Sequence, residues 1–382
     1  MKPNSIAILT PDVSVAGAAL ANYTAALMQG LHQLDVPTLY VVYFCSRPGP
    51  QVTFPANVKL VALNVKRSRS LLLPLAKFLR QYQPDVLITL AAFVNFPATI
   101  GWLLAGKGKT RLIVSQHSTM SYKAYVECKN NVLERANPLM ARLLYPLATA
   151  VHANSQEVLH DLIEEIRIPL PEARAFFTPN PINSALVRDC SQAASDHPWL
   201  QHKDKPVIIS AGRLAKQKNF PLLLHAFAAV RQRLDVRLII LGEDGPERQH
   251  LQQLIQTLGI SASVSLPGFS PNPWSSMAKA DVFVLPSQEE PFGLVLVEAM
   301  ACGVPVIATD AIGGGPRMIL EEGKNGILLP QNDVEALTDA IVKVLTFPEV
   351  HYQLVNAGHQ RCTAFSPKAI AQQWLDHLQK LS

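Results

Sequence analysis

The chain has 382 residues, 48% of them hydrophobic and 16% charged, with a formal net charge of +5. This length suits two domains, each able to bury its own core, and the composition is that of a globular protein with a rather apolar surface. Three classes are disfavoured. No Arg/Lys cluster interleaves with aromatics as in nucleic-acid binders; the five scattered cysteines show no CxxC or Cys/His spacing; and no run approaches the roughly 20 apolar residues of a membrane span.

The first apolar run, Ile6–Thr10, is followed by Val15-Ala16-Gly17-Ala18-Ala19, which opens a helical pattern. Small residues there permit either a close backbone approach to a ligand or tight strand–helix packing. Strand-like runs continue at Leu39–Phe44, Val58–Leu63, Val86–Leu90 and Leu112–Gln116, the last ending in His117. Two basic sets punctuate apolar stretches: Lys66, Arg67, Arg69, Lys77 and Arg80 around Leu71–Leu75, and Lys123, Lys129, Arg135 and Arg142. Each reads either as a solvated helix face or as a segment lying on an anionic membrane. Ala150–Ala153 leads to Asn154, read as a helix N-cap in a capping box with Glu157. Ala175–Thr178 then leads to the turn at Asn180-Pro181.

A polar, unpatterned stretch from Arg188 to Pro206 separates this half from the next. Strands are expected at Val207–Ala211, Arg237–Leu241, Val264–Leu266, Val282–Leu285, Pro305–Thr309 and Gly326–Leu329. Strand and helix patterns alternate throughout, which implies parallel doubly wound sheets, and thirteen strands imply two of them. The expected division is a first domain over 1–190, a linker over 191–205, a second domain over 206–365, and a C-terminal helix over 366–382 packing back on the first. The short apolar run at the N-terminus does not suit a signal peptide, and the cysteine usage suits a reducing cytoplasm.

The chemistry concentrates at the carboxyl ends of the second set of strands. Val207–Ala211 is followed by Gly212-Arg213-Leu-Ala-Lys216-Gln-Lys218, in which Arg213 and Lys218 either meet a diphosphate or lie in a solvated loop, and Lys216 reads as an ordinary surface charge. Arg237–Leu241 is followed by a Gly-rich loop, Gly242 to Arg248, that has neither the GxGxxG nor the P-loop spacing. Pro267-Gly268-Phe269 closes the next strand and is either a turn or a backbone contact to a base edge. Val282–Leu285 leads to Glu290-Pro-Phe292-Gly293-Leu294, and the helix that follows carries Glu298 among apolar residues. A carboxylate there needs a partner: either a ligand diol or a buried Arg or Lys.

Together these residues resemble the retaining GT-B glycosyltransferases of family four, the glycosyl transferases group 1. Glu290 and Glu298 at their spacing carry the resemblance, with Gly212-Arg213-Leu, Lys218, Gly242 to Arg248, Pro267-Gly268-Phe269 and Asn325-Gly326. Pro84-Asp85-Val86, His117, Tyr145-Pro146, Asn154-Ser155 and Asn180-Pro181 extend it through the first half. It implies a GT-B fold, two Rossmann-like domains facing a central cleft. The implied activity is transfer of a hexose or N-acetylhexosamine from a nucleotide sugar, in the first place a UDP-sugar, to a glycan or lipid-linked acceptor.

The resemblance also implies roles. Glu298 would hold the ribose, and Glu290 would contact the transferred sugar. Amides of Phe292, Gly293 and Leu294 would lie near sugar and phosphate, and Arg213 and Lys218 would neutralise the departing diphosphate. Gly17 would lie near the phosphates, His117 near the sugar, and Gly268 and Phe269 near the base. No Asp-x-Asp occurs in the chain, which favours a reaction without a metal or other cofactor, and no nucleic-acid partner is expected. The expected location is the cytoplasm or the inner face of a membrane touched peripherally. The competing readings are a sugar-nucleotide epimerase of the same fold and a non-catalytic sugar-nucleotide-binding subunit. The sequence departs from the family at Ala16-Gly17 and at Gly313-Gly-Gly-Pro-Arg317, where Arg317 is either a surface residue or an added cation.

Overall fold

The computed structural model of the protein describes residues 2–14, 18–44 and 52–381. Two compact units are present. One comprises Met1–Ile182 together with Phe365–Ser382, the other Asn183–Ala364.

The first unit holds seven strands: β1 (Ser5–Thr10), β2 (Thr38–Tyr43), β3 (Val58–Ala62), β4 (Val86–Leu90), β5 (Arg111–Gln116), β6 (Ala150–Ala153) and β7 (Ala175–Phe177). Their order is β3-β2-β1-β4-β5-β6-β7, and every neighbouring pair is parallel. The second unit holds β8 (Val207–Ala211), β9 (Arg237–Leu241), β10 (Val264–Gly268), β11 (Val282–Leu285), β12 (Val306–Thr309) and β13 (Ile327–Leu329). They are ordered β10-β9-β8-β11-β12-β13 and again parallel. Each sheet is covered on both faces, which is why its strands read as nearly unbroken apolar runs.

Alternation along β1 divides the first core. Ile6 and Ile8 pack with Tyr23, Leu27, Ile370, Trp374 and Leu378, whereas Ala7 and Leu9 face Leu75, Phe78 and Trp102 on the other side. The first of these layers is built by the helices Ala18–Gln33 and Pro367–Lys380. They approach so closely that a Cβ on Gly30 would stand 1.9 Å from the Pro367 carbonyl oxygen. In the second unit, Ile208, Leu238, Val284 and Ile307 from four strands meet Phe227 and Ile341 from flanking helices.

The stretch read from its polarity as a linker over 191–205 is folded onto the second unit. Ser195 Oγ lies 2.8 Å from Ser276 Oγ, and His197 Nε2 lies 3.0 Å from Ser265 Oγ. Asn272 Nδ2 donates to the Cys190 carbonyl at 2.9 Å. The boundary therefore falls at Ile182/Asn183, before the expected one, because these polar residues satisfy one another and not only solvent.

Each sheet reverses its building direction once, between β1 and β4 and between β8 and β11. At such a point the loops leaving the two strands part to opposite faces and open a crevice at their carboxyl ends.

Candidate active site

In the second unit, the loops after β8 and β11 meet across the reversal. The Gln288 amide donates to the Gln217 carbonyl at 2.8 Å, and Lys218 Nζ lies 2.5 Å from Glu290 Oε2. Both side chains are largely buried, 18% and 11% exposed. The Ser287 hydroxyl donates to the same carboxylate oxygen at 3.2 Å, and Thr309 Oγ1 holds the Ser287 carbonyl at 2.6 Å. An ammonium has three N–H donors, so Lys218 keeps two for a ligand while bound to Glu290. Arg213 is exposed and forms no ion pair with the described residues.

The backbone here is shaped by close approaches. Gly293 sits at φ +92°, in the left-handed region, and turns the chain into the helix Leu294–Ala301. A Cβ on Gly315 would stand 2.1 Å from the Phe292 carbonyl oxygen, and the Gly315 amide donates to the Glu290 carbonyl at 3.1 Å. Phe292 is buried. The amides of Gly293 and Leu294 are committed to no acceptor among the described residues, so the positive end of the helix offers two donors. Along the neighbouring strand ends, the Gly212 amide donates to the Leu241 carbonyl and the Gly242 amide to the Gly268 carbonyl, both at 2.9 Å. Gly268 has φ +93°, and Phe269 beside it is 55% exposed.

Glu298 meets no Arg or Lys among the described residues, so the buried salt bridge weighed from its sequence context is not formed. Its helix leaves part of the residue reached by solvent, yet the groups around the carboxyl push it up to about 7, chiefly by desolvation. The indole N–H of Trp274 approaches and opposes that rise, but falls short of hydrogen-bond geometry. A carboxylate held this way is short of donors, and two hydroxyls of a diol would supply them. Arg317, left open by the sequence, pairs with Asp310 and Glu322.

His117 belongs to the first unit. It follows β5, whose end is held by Tyr145: the phenol donates to Gln116 Oε1 and accepts from Asn95 Nδ2, each at 3.0 Å. Its ring meets Tyr23 edge-on at 4.9 Å and bonds Ser115 Oγ through Nε2 at 2.8 Å. Burial pushes the imidazole down to about 4. Gly17 lies outside the described residues. The N-cap expected at Asn154 is supplied instead by Ser155, whose hydroxyl accepts from the Val158 amide at 3.1 Å. Asn154 and Asn180 are buried with their Oδ1 atoms unbonded. Sequence reasoning missed Ser287, which bonds Glu290 from three residues away, and Trp274, which comes near Glu298 only through the fold.

Two family models cover most of the chain: that described as Glycosyl transferases group 1 matches residues 192–361, and that described as Glycosyltransferase Family 4 matches residues 20–186. A Campylobacter jejuni N-acetylgalactosamine-N,N'-diacetylbacillosaminyl-diphospho-undecaprenol 4-alpha-N-acetylgalactosaminyltransferase is 32% identical over 75% of this chain and 74% of its own length. The chain belongs to the group 1 glycosyltransferases. It is an enzyme of that class with the GT-B fold. Three further relatives match over 18–50% of their own length. Among solved structures, a sucrose-phosphate synthase from Thermosynechococcus elongatus superposes with a TM-score of 0.78 at 21% identity, covering 98% of both chains. Anabaena HepE in complex with UDP gives 0.72 at 21% identity, covering 98% of this chain and 99% of that one.

Proposed function

We propose that this glycosyltransferase moves a hexose or N-acetylhexosamine from a nucleotide sugar, in the first place a UDP-sugar, to a glycan or lipid-linked acceptor. Anomeric configuration is retained and no metal is required. The observation that carries the reading is the contact of Lys218 with Glu290 across the β8/β11 reversal, beside the uncommitted amides of Gly293 and Leu294. A diphosphate placed there finds Lys218, Arg213 and the helix N-terminus. Charge developing on the leaving oxygen is then met by fixed donors, the arrangement that lowers such a barrier most. In this reading Glu290 meets the sugar and Glu298 the ribose, with the amide of Phe292 near the sugar and phosphate. Gly268 and Phe269 border the place for the base. By the family resemblance, Gly17 is read as a phosphate contact and His117 as a sugar contact.

Retention follows the family resemblance. The C1–O bond to the diphosphate breaks with its electron pair, the acceptor oxygen attacks from the same face, and its proton passes to a departing phosphate oxygen. The Campylobacter relative's name, with its diphospho-undecaprenol, supports a lipid-linked acceptor, and the UDP of the HepE complex supports the nucleotide. Nucleotide release should be followed across a panel of nucleotide sugars, with acceptor, in buffer and in excess EDTA. Loss of activity in EDTA would exclude the metal-free reaction. Epimerisation of the nucleotide sugar without acceptor, followed by NMR, would replace the transferase reading by that of an isomerase.

Peripheral contact with an anionic membrane is part of this proposal. The helix Val132–Leu144 exposes Val132, Leu133, Leu139 and Leu143 at 59–80%, with Arg135 and Arg142 exposed among them. An apolar face flanked by cations suits an anionic interface. No helix among the described residues is long and apolar enough to cross a membrane. Flotation with anionic but not neutral vesicles, reduced by salt, is the expected result, and no binding to anionic vesicles would remove this part.

A further inference from the structure

The helix Leu294–Ala301 carries Glu298, and Cys302 closes its last turn, where the Cys302 amide donates to the Glu298 carbonyl at 3.0 Å. Residues four apart on a helix share a side, so this thiol and this carboxyl lie on one face. The Cys302 thiol donates to the Trp274 carbonyl at 3.7 Å. Trp274 therefore lies across the turn that holds Glu298. Its indole Nε1 is buried and bonded to nothing among the described residues, and the carboxyl it approaches is that of Glu298. An indole N–H can only donate and a carboxylate can only accept. A buried donor left without an acceptor is costly, and the acceptor that would relieve it is the carboxylate short of donors.

Trp274 is held in this place from outside the site. Its helix, Pro273–Met277, is too short to stand by its own bonds, and the residues before β8 fasten it on either side of the indole. Asn272 Nδ2 donates to the Cys190 carbonyl at 2.9 Å, and Ser276 Oγ lies 2.8 Å from Ser195 Oγ. The charged groups on the elements packed around Glu298 are engaged elsewhere or turned outward. Arg317 pairs with Asp310 and Glu322, and Arg361 with Glu321. His359 lies against Gly303, and Arg188 and Asp189 are exposed. Burial pushes the thiols of Cys302 and Cys362 up to about 12, so both are neutral.

We propose that Trp274 is a positioning residue for Glu298: its indole N–H takes one oxygen of the ionised carboxylate and leaves the other turned to a ribose diol. Through Cys190 and Ser195, the residues that precede β8 then brace the nucleotide site. A donor to the charged form lowers a carboxyl's pKa, so the indole works against the desolvation that raises Glu298 to about 7. It keeps more of the carboxyl ionised near neutral pH, where the diol draws on that form. The proposal rests on the reading of Glu298 as the ribose contact.

The test has two arms. The chain has four tryptophans, so 15N-tryptophan labelling gives four indole N–H signals. That of Trp274 is assigned from Trp274→Phe, or by elimination from the other three if that variant does not fold. It should move as pH is raised from 6 to 8.5 and stay still in Glu298→Gln. A Trp274 signal that does not move in the unaltered protein, or that moves equally in Glu298→Gln, overturns the proposal. In the second arm, UDP affinity is measured at pH 6.5 and 8.5. Trp274→Phe keeps an aromatic ring and removes the donor, which should raise the Glu298 pKa by about one unit, the scale of one hydrogen bond to a charged group. UDP binding should then weaken roughly eightfold at pH 6.5 and less than about twofold at pH 8.5. An equal loss at both pH values would mean that the indole only packs, and also overturns the proposal. The spectra need no nucleotide, so they judge the contact alone. Unchanged UDP binding by Glu298→Gln counts against the ribose reading alone.

Discussion

Lys218 Nζ stands 2.5 Å from Glu290 Oε2, and the contact joins two loops 72 residues apart. The two residues reach one another because β8 and β11 are neighbours in the sheet although two strands separate them in the chain. A short ion pair in a largely buried place is stabilising only while both partners remain, since removing one strands the other's charge. Lys218→Met should therefore lower kcat/KM by about 10²–10³-fold, the range seen when a leaving-group donor is lost, and should also reduce thermal stability. Glu290→Gln should slow turnover while leaving nucleotide affinity nearly unchanged. The double variant should be little slower than the worse single one, because the groups act as a unit. Steady-state kinetics on all three decides this, and fully additive losses would count against it.

Glu298 carries a different expectation, read from pH. Its carboxyl is raised from 4.5 to about 7 by desolvation in the folded protein. Between those values the folded state holds a proton that the unfolded chain has released. Stability conferred at low pH is then lost as pH rises through that window. Glu298→Gln removes the cost of charging the group. Without ligand it should melt a few degrees higher than the unaltered protein at pH 8 and about equally at pH 4.5, while binding the nucleotide about tenfold or more weakly through loss of charged hydrogen bonds. Melting curves at the two pH values, with and without nucleotide, separate the effects. Unchanged nucleotide binding would remove Glu298 from the ribose site.

The glycine at 315 makes a steric prediction. Its absent side chain leaves room for the Phe292 carbonyl, which a Cβ would meet at 2.1 Å. Backbone cannot yield as a flexible side chain can, so Gly315→Ala must displace the loop that carries Glu290 and Gly293. Overpacking of this kind costs about 1–3 kcal/mol. The variant should melt lower and lose donor affinity together. A soluble, equally stable variant with intact affinity would show that the loop relaxes without moving the site.

Much of this was legible in the sequence, for identifiable reasons. Sheets buried on both faces leave apolar runs, and Ile6–Thr10 or Val282–Leu285 announce themselves in that way. Glu298 stands out because it is the only charge in its helix. Pairing was not legible. The sequence directs attention to a partner for Glu298, whereas the fold gives the cation to Glu290 and leaves Glu298 beside Trp274. Which strand ends adjoin is decided by tertiary order, and no local pattern encodes it. His152 did leave a signal, a polar ring inside the apolar run Ala150–Ala153, but its meaning depends on Ser115 and Thr178 on the strands to either side. The segment 191–205 misled because polarity alone does not distinguish a free linker from one whose side chains bond a surface.

The return of the C-terminal helix to the first unit makes the last prediction. Trp374 is wholly buried against His152, Phe176 and the strands of β1 and β4. The Arg111 guanidinium reaches the Leu378 carbonyl at 2.8 Å, fastening the same helix to β5. Truncating a buried tryptophan costs about 3–5 kcal/mol through lost transfer energy and the cavity left behind. Trp374→Ala should therefore lower the melting of the first unit by several degrees, although position 374 lies almost 200 residues beyond the end of β7. Glu298→Gln should act only on the second unit. Scanning calorimetry of the full chain, with each transition assigned by nucleotide, which should protect the second unit, tests the division. If Trp374→Ala and Glu298→Gln shift the same transition, the two units melt as one and the packing of Trp374 stabilises the whole chain.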